Sequence, residues 1–166
     1  MKARIVVMLA LTGALAVTIV TAALATPQDP PGSVTSALVA RGTTGAFELH
    51  DKSQKLKLQA KGALTVDIRN VTLVPNGSTG WHGHTGPSLV VMSSGSLTML
   101  RPGDRGNDDP GCLMTTHATG DVFVHPEDAH DFRAGSGGAT FAIVYLLPEA
   151  ASPAPIDVTP APGACS

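Results

Sequence analysis

The tetrapeptide Trp81-His82-Gly83-His84 holds the residues best suited to chemistry in this sequence, because two imidazoles separated by one residue can share a metal ion. Whether they do depends on the backbone that carries them. In an extended strand, residues two apart project from the same face, about 6 to 7 Å apart along the chain, so both rings can turn toward one ion. On a helix the same spacing aims them apart. Gly80, Gly83, Gly86 and Pro87 around the pair favour extended or turning backbone over helix. Alone, the pair is a weak signal, and two ordinary solvated histidines are the plainer reading. His50 and His117 sit in loop-like surroundings and are expected to be solvated.

The elements that would carry these side chains have a period of two. Leu56-Lys57-Leu58-Gln59-Ala60, Leu64 to Arg69 and Leu97 to Leu100 alternate apolar with polar residues, as half-buried strands do. Ser88 to Met92 and Thr140 to Leu147 are near-continuous apolar runs, which read as strands buried on both faces. Turn-forming clusters punctuate them at Pro75-Asn76-Gly77, Ser93-Ser94-Gly95, Arg101 to Asp104 and Gly135-Ser136-Gly137-Gly138. Short strands spaced by such turns indicate an all-β sandwich or barrel. Gly45 to Gln54 is the one place where a short helical turn is expected.

The flanks differ from this middle. Lys2 and Arg4 precede an apolar stretch from Ile5 to Ala25 that ends in Ala23-Leu24-Ala25, the order of a secretory signal peptide over 1–25. The stretch is also long enough to serve as an uncleaved membrane anchor with the domain outside. Residues 26–34 read as a flexible tether, 35–148 as the single domain, and 149–166 as a Pro-rich tail that cannot form a regular helix or central strand. The whole chain of 166 residues carries a formal charge of −2, and losing Lys2 and Arg4 makes the mature chain more acidic. With one Trp and one Tyr it lacks the basic stripe and stacking aromatics that nucleic-acid binding needs. Cys112 and Cys165 are the only cysteines, and export would place both where disulfides persist. We expect them to pair; two free thiols are the alternative.

In their order, two stretches resemble the pair of motifs that define the cupin family. The first resembles glycine, a spacer, His-x-His, a glutamate a few residues on, and a closing glycine; here it reads Gly77, His82-Gly83-His84, Ser88, Gly95. In the second, Gly120 and Pro126 match, Asp128 stands where glycine is usual, His130 arrives one residue early, and Ala134 replaces an asparagine. The Gly80-Trp81-His82 phrase through Gly86-Pro87, the Asp109-Pro110-Gly111-Cys112 segment, Leu146-Leu147-Pro148 and Pro162-Gly163-Ala164-Cys165 are similar to one group of small secreted bacterial cupins. The resemblance spans nearly all of the mature chain and also supports the disulfide.

It implies an all-β, single-domain cupin barrel (a jelly roll, or double-stranded β-helix) in which His130 joins His82 and His84 at one divalent metal ion. Zn, Cu, Fe, Ni and Mn are all candidates for that ion. Ser88 occupies the usual carboxylate position, so the implied shell is three imidazoles and water, a competent donor set in zinc enzymes. A barrel whose histidines only line a polar pocket is the alternative. Trp81, Ser88 and His125 are candidate pocket residues: Trp81 is expected in the core or at the pocket rim, and His125 could lie in the pocket or behind a ligand, although a surface strand end is the plainer expectation. Glu127 and Asp128 could stand in for the missing carboxylate, although an exposed turn is the plainer expectation. Two functions follow: an exported metal-binding module holding a small ligand in its mouth, or a metalloenzyme similar to cupin dioxygenases. The expected partners are a small molecule and, as in many cupins, a second copy of the chain; a membrane enters only if the N-terminal segment is retained.

Overall fold

The structure is a computed structural model that describes residues 28–103, 111–149, 151, 156–157 and 165. The expected signal peptide and most of the tail lie outside these residues. Among the described residues no helix is long and apolar enough to cross a membrane.

The described chain is all-β, and its strands pair antiparallel: β1 (Val34–Thr44), β2 (Phe47–Asp51), β3 (Leu56–Ala60), β4 (Leu64–Leu73), β5 (His82–Gly83), β6 (Ser88–Pro102), β7 (Cys112–Ala118), β8 (Val122–His125), β9 (Asp131–Pro148) and β10 (Ile156–Asp157). The main sheet runs β1-β4-β9-β6-β7, with β8 on the first half of β6. Two of the expected turns are bends inside strands instead. Around Ser93 to Gly95 the register of β6 shifts, and Gly135 to Gly138 bulge out of the ladder between Ala134 and Ala139 of β9. Gly95 has φ +74°, and a Cβ there would strike the Gly138 carbonyl, so two glycine-rich backbones cross where side chains would keep them apart. The bends fold the sheet over on itself. Inward side chains of both halves then share one core, where Leu73, Val90, Leu97, Phe141, Ile143 and Leu147 are almost fully buried. Each such side chain contributes about 1.5–3 kcal/mol.

Three further expectations change. The region Gly45 to Gln54 forms no helical turn: Phe47-Glu48-Leu49-His50 alternates as a strand, and β2 pairs with β3 in an exposed hairpin closed by Asp51, whose carboxylate accepts bonds from Ser53 and Gln54. The apolar runs 88–92 and 140–147 are buried on one face only, with Leu89 37% exposed and the alternate residues of β9 half-buried. In β4 the polar members Thr65 and Asp67 point inward and Val66 and Ile68 outward. By register, Val124, Leu89, Val144, Ile68 and Ala40 therefore form one apolar row across five strands of the outer face.

Both ends of the domain are seated. Of the segment expected as a tether, residues 28–34 are described: Asp29 bridges Ser78, and the buried Ser33 hydroxyl donates to the Ser78 carbonyl at 2.7 Å. Cys112 and Cys165 are joined by a disulfide, which with Trp81 and Leu100 makes a second small apolar cluster.

Candidate metal centre

The two histidine-bearing motifs meet because their backbones pair directly. Residues 77–82 run antiparallel along the start of β9: the Gly77 carbonyl accepts from Ala134 N at 2.8 Å, Thr79 N donates to the Phe132 carbonyl at 2.9 Å, and His82 and His130 exchange both backbone bonds at 2.9 Å. The other edge of His82–Gly83 pairs with β10, so a strand of the C-terminal tail clamps the motif from behind. Gly83 has little room to be anything else, since a Cβ would sit 3.2 Å from the Glu127 carbonyl.

A polar knot beneath fixes this pairing. The Asp131 carboxylate, 2% exposed, accepts from Ser78 Oγ at 2.7 Å and from Arg133 Nε at 2.8 Å, and Thr79 Oγ1 lies 3.3 Å away. Ser78 Oγ in turn accepts from Gly80 N, and Gly80 turns at φ +70°. That turn points the Gly80 carbonyl at His82 Nδ1, 2.8 Å away. A carbonyl only accepts, so Nδ1 carries the proton and Nε2 keeps its lone pair. At His130 the same device recurs, with the Asp128 carbonyl 2.9 Å from Nδ1, while the buried Nε2 has no protein partner.

The rings converge. Centroids of His82 and His130 lie 4.1 Å apart, those of His82 and His84 4.9 Å, and those of His84 and His130 5.4 Å. One ligand atom from each of the three lies within 4.8 Å of the others, and all three side chains are buried. Burial, then the neighbouring His82 and His125, holds the His130 pKa well below its usual value. It is therefore neutral at pH 7, the state in which imidazole binds metals. Three buried imidazoles so close together, two of them oriented by backbone carbonyls, fit a divalent ion of the kind imidazole prefers.

The other candidates fall into place around this group. Ser88 faces inward at 2% exposure, and its hydroxyl has no protein partner. Among the described side chains no carboxylate replaces the glutamate. Glu127 is exposed, and the half-exposed Asp128 carboxylate faces Arg101 at 3.9 Å. Asp67 is taken up by Arg69 at 2.8 Å and Arg41 at 3.6 Å. His125 is not a surface residue: opposite Ser88 on β8 it shares the inward face, is 1% exposed, and packs its ring 3.7 Å from that of His130. Burial first, then His82 and Arg101, lowers its pKa to about 4. Trp81 packs with Leu100 and the disulfide. His50 is exposed beside Glu48, as expected, but His117 is half-buried and stacks on Phe123 at 3.7 Å, with desolvation lowering its pKa.

Sequence reasoning passed over Tyr145 and Asp131. The Tyr145 ring lies 4.9 Å from that of His84, and burial pushes its hydroxyl pKa up. The available signal was parity: Tyr145 keeps step with Phe141 and Ile143, inward residues of the same strand.

Solved structures similar to the chain include cupins. A cupin superfamily protein from Desulfitobacterium hafniense is 15% identical, with 70% of this chain and 80% of that one covered at TM-score 0.45. A cupin domain from Bordetella pertussis is 20% identical, with 63% of this chain and 95% of that one covered at TM-score 0.41. An oxalate oxidase bound to the substrate analogue glycolate is 18% identical, with 69% of this chain and 51% of that one covered at TM-score 0.45. No family model matches the chain, and the search of curated proteins found no match.

Proposed function

We propose that this protein is an exported metal-binding module of the cupin type, which holds one divalent transition-metal ion through His82, His84 and His130 and takes a small ligand beside it. The observation that carries this reading is the burial of three imidazoles whose ligand atoms lie within 4.8 Å of one another. Two of the rings are oriented by backbone carbonyls, which fixes the tautomer that leaves Nε2 for the ion. A bound ion would supply Lewis acidity and open coordination positions. The chain's own contribution is to orient the rings, exclude bulk water and keep His130 unprotonated. Export accords with the signal-like N-terminus and with a disulfide, which oxidising compartments preserve.

Metal analysis of mature protein made without an affinity histidine tag tests the reading. We expect close to one equivalent of metal per chain in the wild type, and loss of nearly all of it in His82→Ala and in His130→Ala. Wild type that stays metal-free after exposure to Zn, Cu, Fe, Ni and Mn would contradict it.

A further inference from the structure

Ser88 and His125 stand directly opposite one another on β6 and β8, both facing inward, at 2% and 1% exposure. The Ser88 hydroxyl and both His125 ring nitrogens are buried without a hydrogen-bond partner in the protein. Each such group costs about 1–3 kcal/mol if it stays unpaired, so two of them side by side mark a place built to meet something polar. His125 adjoins the metal centre, its ring 3.7 Å from that of His130 and 6.2 Å from that of His84, and Ser88 is its partner in the ladder. His125 is nevertheless absent from the group of side chains whose ligand atoms lie within 4.8 Å of one another, so it flanks that group rather than joining it.

Charge says what the polar group should be. A divalent ion held by three neutral imidazoles keeps its full charge in a poorly solvating interior, a costly state unless an anion joins it. Among the described side chains the buried carboxylates are already engaged: Asp67 with Arg41 and Arg69, Asp131 with Arg133, Ser78 and Thr79. What faces the centre is instead a pair able to donate. A hydroxyl carries one proton donor, and a neutral imidazole carries one whichever tautomer it adopts.

We propose that Ser88 and His125 form an anion subsite beside the metal centre, donating hydrogen bonds to the oxygens of a small carboxylate or similar oxyanion ligand. This rests on the metal reading above and adds the ligand's class to it. The serine at the carboxylate position is then a functional exchange: the negative charge usually built into the chain is supplied by the ligand.

Acetate serves as the probe. Copper(II)-loaded protein is titrated with sodium acetate at fixed pH and ionic strength, followed by visible absorption, with metal content measured in the same samples. We expect a saturable spectral change in the wild type, and an apparent Kd about tenfold weaker in Ser88→Ala and in His125→Leu, or about 1.4 kcal/mol each, while copper stays at one equivalent. His125→Gln, which keeps an N–H donor, should recover part of the loss. Equal acetate affinity in wild type and Ser88→Ala at full copper loading would overturn the subsite, as would a wild-type spectrum that does not respond to acetate. Should His125→Leu fail to fold, Ser88→Ala decides alone. A wild type that takes up no copper or other metal is a different failure, of the metal reading itself.

Discussion

At the scale of single residues, the site combines buried neutral histidines with a buried, fully engaged carboxylate, Asp131. His125, lowered to about 4, and His130, held well below its usual value by burial, bind fewer protons folded than unfolded. The sign follows: between the unfolded value near 6.5 and the folded value, the unfolded chain takes up protons that the folded chain refuses, so stability is full above 6.5 and falls as pH drops toward 4. For metal-free protein we expect a loss of roughly 1 kcal/mol per pH unit from His125 over that window, with His130 adding in the same direction, seen as a falling Tm between pH 7 and 5. A flat Tm there would show that these imidazoles are solvated. Asp131→Ala should be costlier, because it takes the acceptor from the buried Ser78 hydroxyl and frees Arg133; we expect about 3 kcal/mol by denaturant unfolding, with metal affinity reduced too. Spacing singled out His82 and His84, but reading them as ligands needed the motif around them. His130 needed the second motif, and His125 needed the parity of a strand whose outer residues, Val122 and Val124, are the apolar ones.

At the scale of elements, position comes from pairing. The ladder from Gly77–Ala134 to His82–His130 places the third imidazole, and no count along the sequence could give that register. The strand patterns located β3 and β4 within a few residues and marked 88–92 and 97–100 of β6 and 140–147 of β9, but missed that β9 begins at Asp131 and misread the faces of β4, where Arg41 and Arg69 reach the inward Asp67. Glycine clusters were read as turns because turns and bulges demand the same backbone freedom; whether the chain reverses or merely bends is decided by the strand it meets. Gly95→Ala tests that crossing. It adds a Cβ at φ +74° against the Gly138 carbonyl, and we expect at least 2 kcal/mol of destabilisation by chemical denaturation. A neutral effect would mean that the two bends do not touch.

At the scale of the whole molecule, the tail and the metal centre are mechanically linked. β10 clamps His82–Gly83, and the Cys112–Cys165 disulfide, spanning a sequence separation of 53, packs beside Trp81, the neighbour of His82. Replacing both cysteines with serine should cost about 2–4 kcal/mol, read as a lower Tm, and weaken metal binding more than an equally destabilising change in the β2–β3 hairpin. Composition made the bridge legible; that the tail also supplies a strand to the histidine motif was not, because Ile156-Asp157 has no pattern of its own. All of this turns on three imidazoles sharing one ion. The most direct measurement is X-ray absorption at the metal edge of zinc-loaded protein. The account expects three imidazole ligands at about 2.0–2.1 Å with the remaining positions filled by oxygen; a shell with one imidazole or none would contradict it.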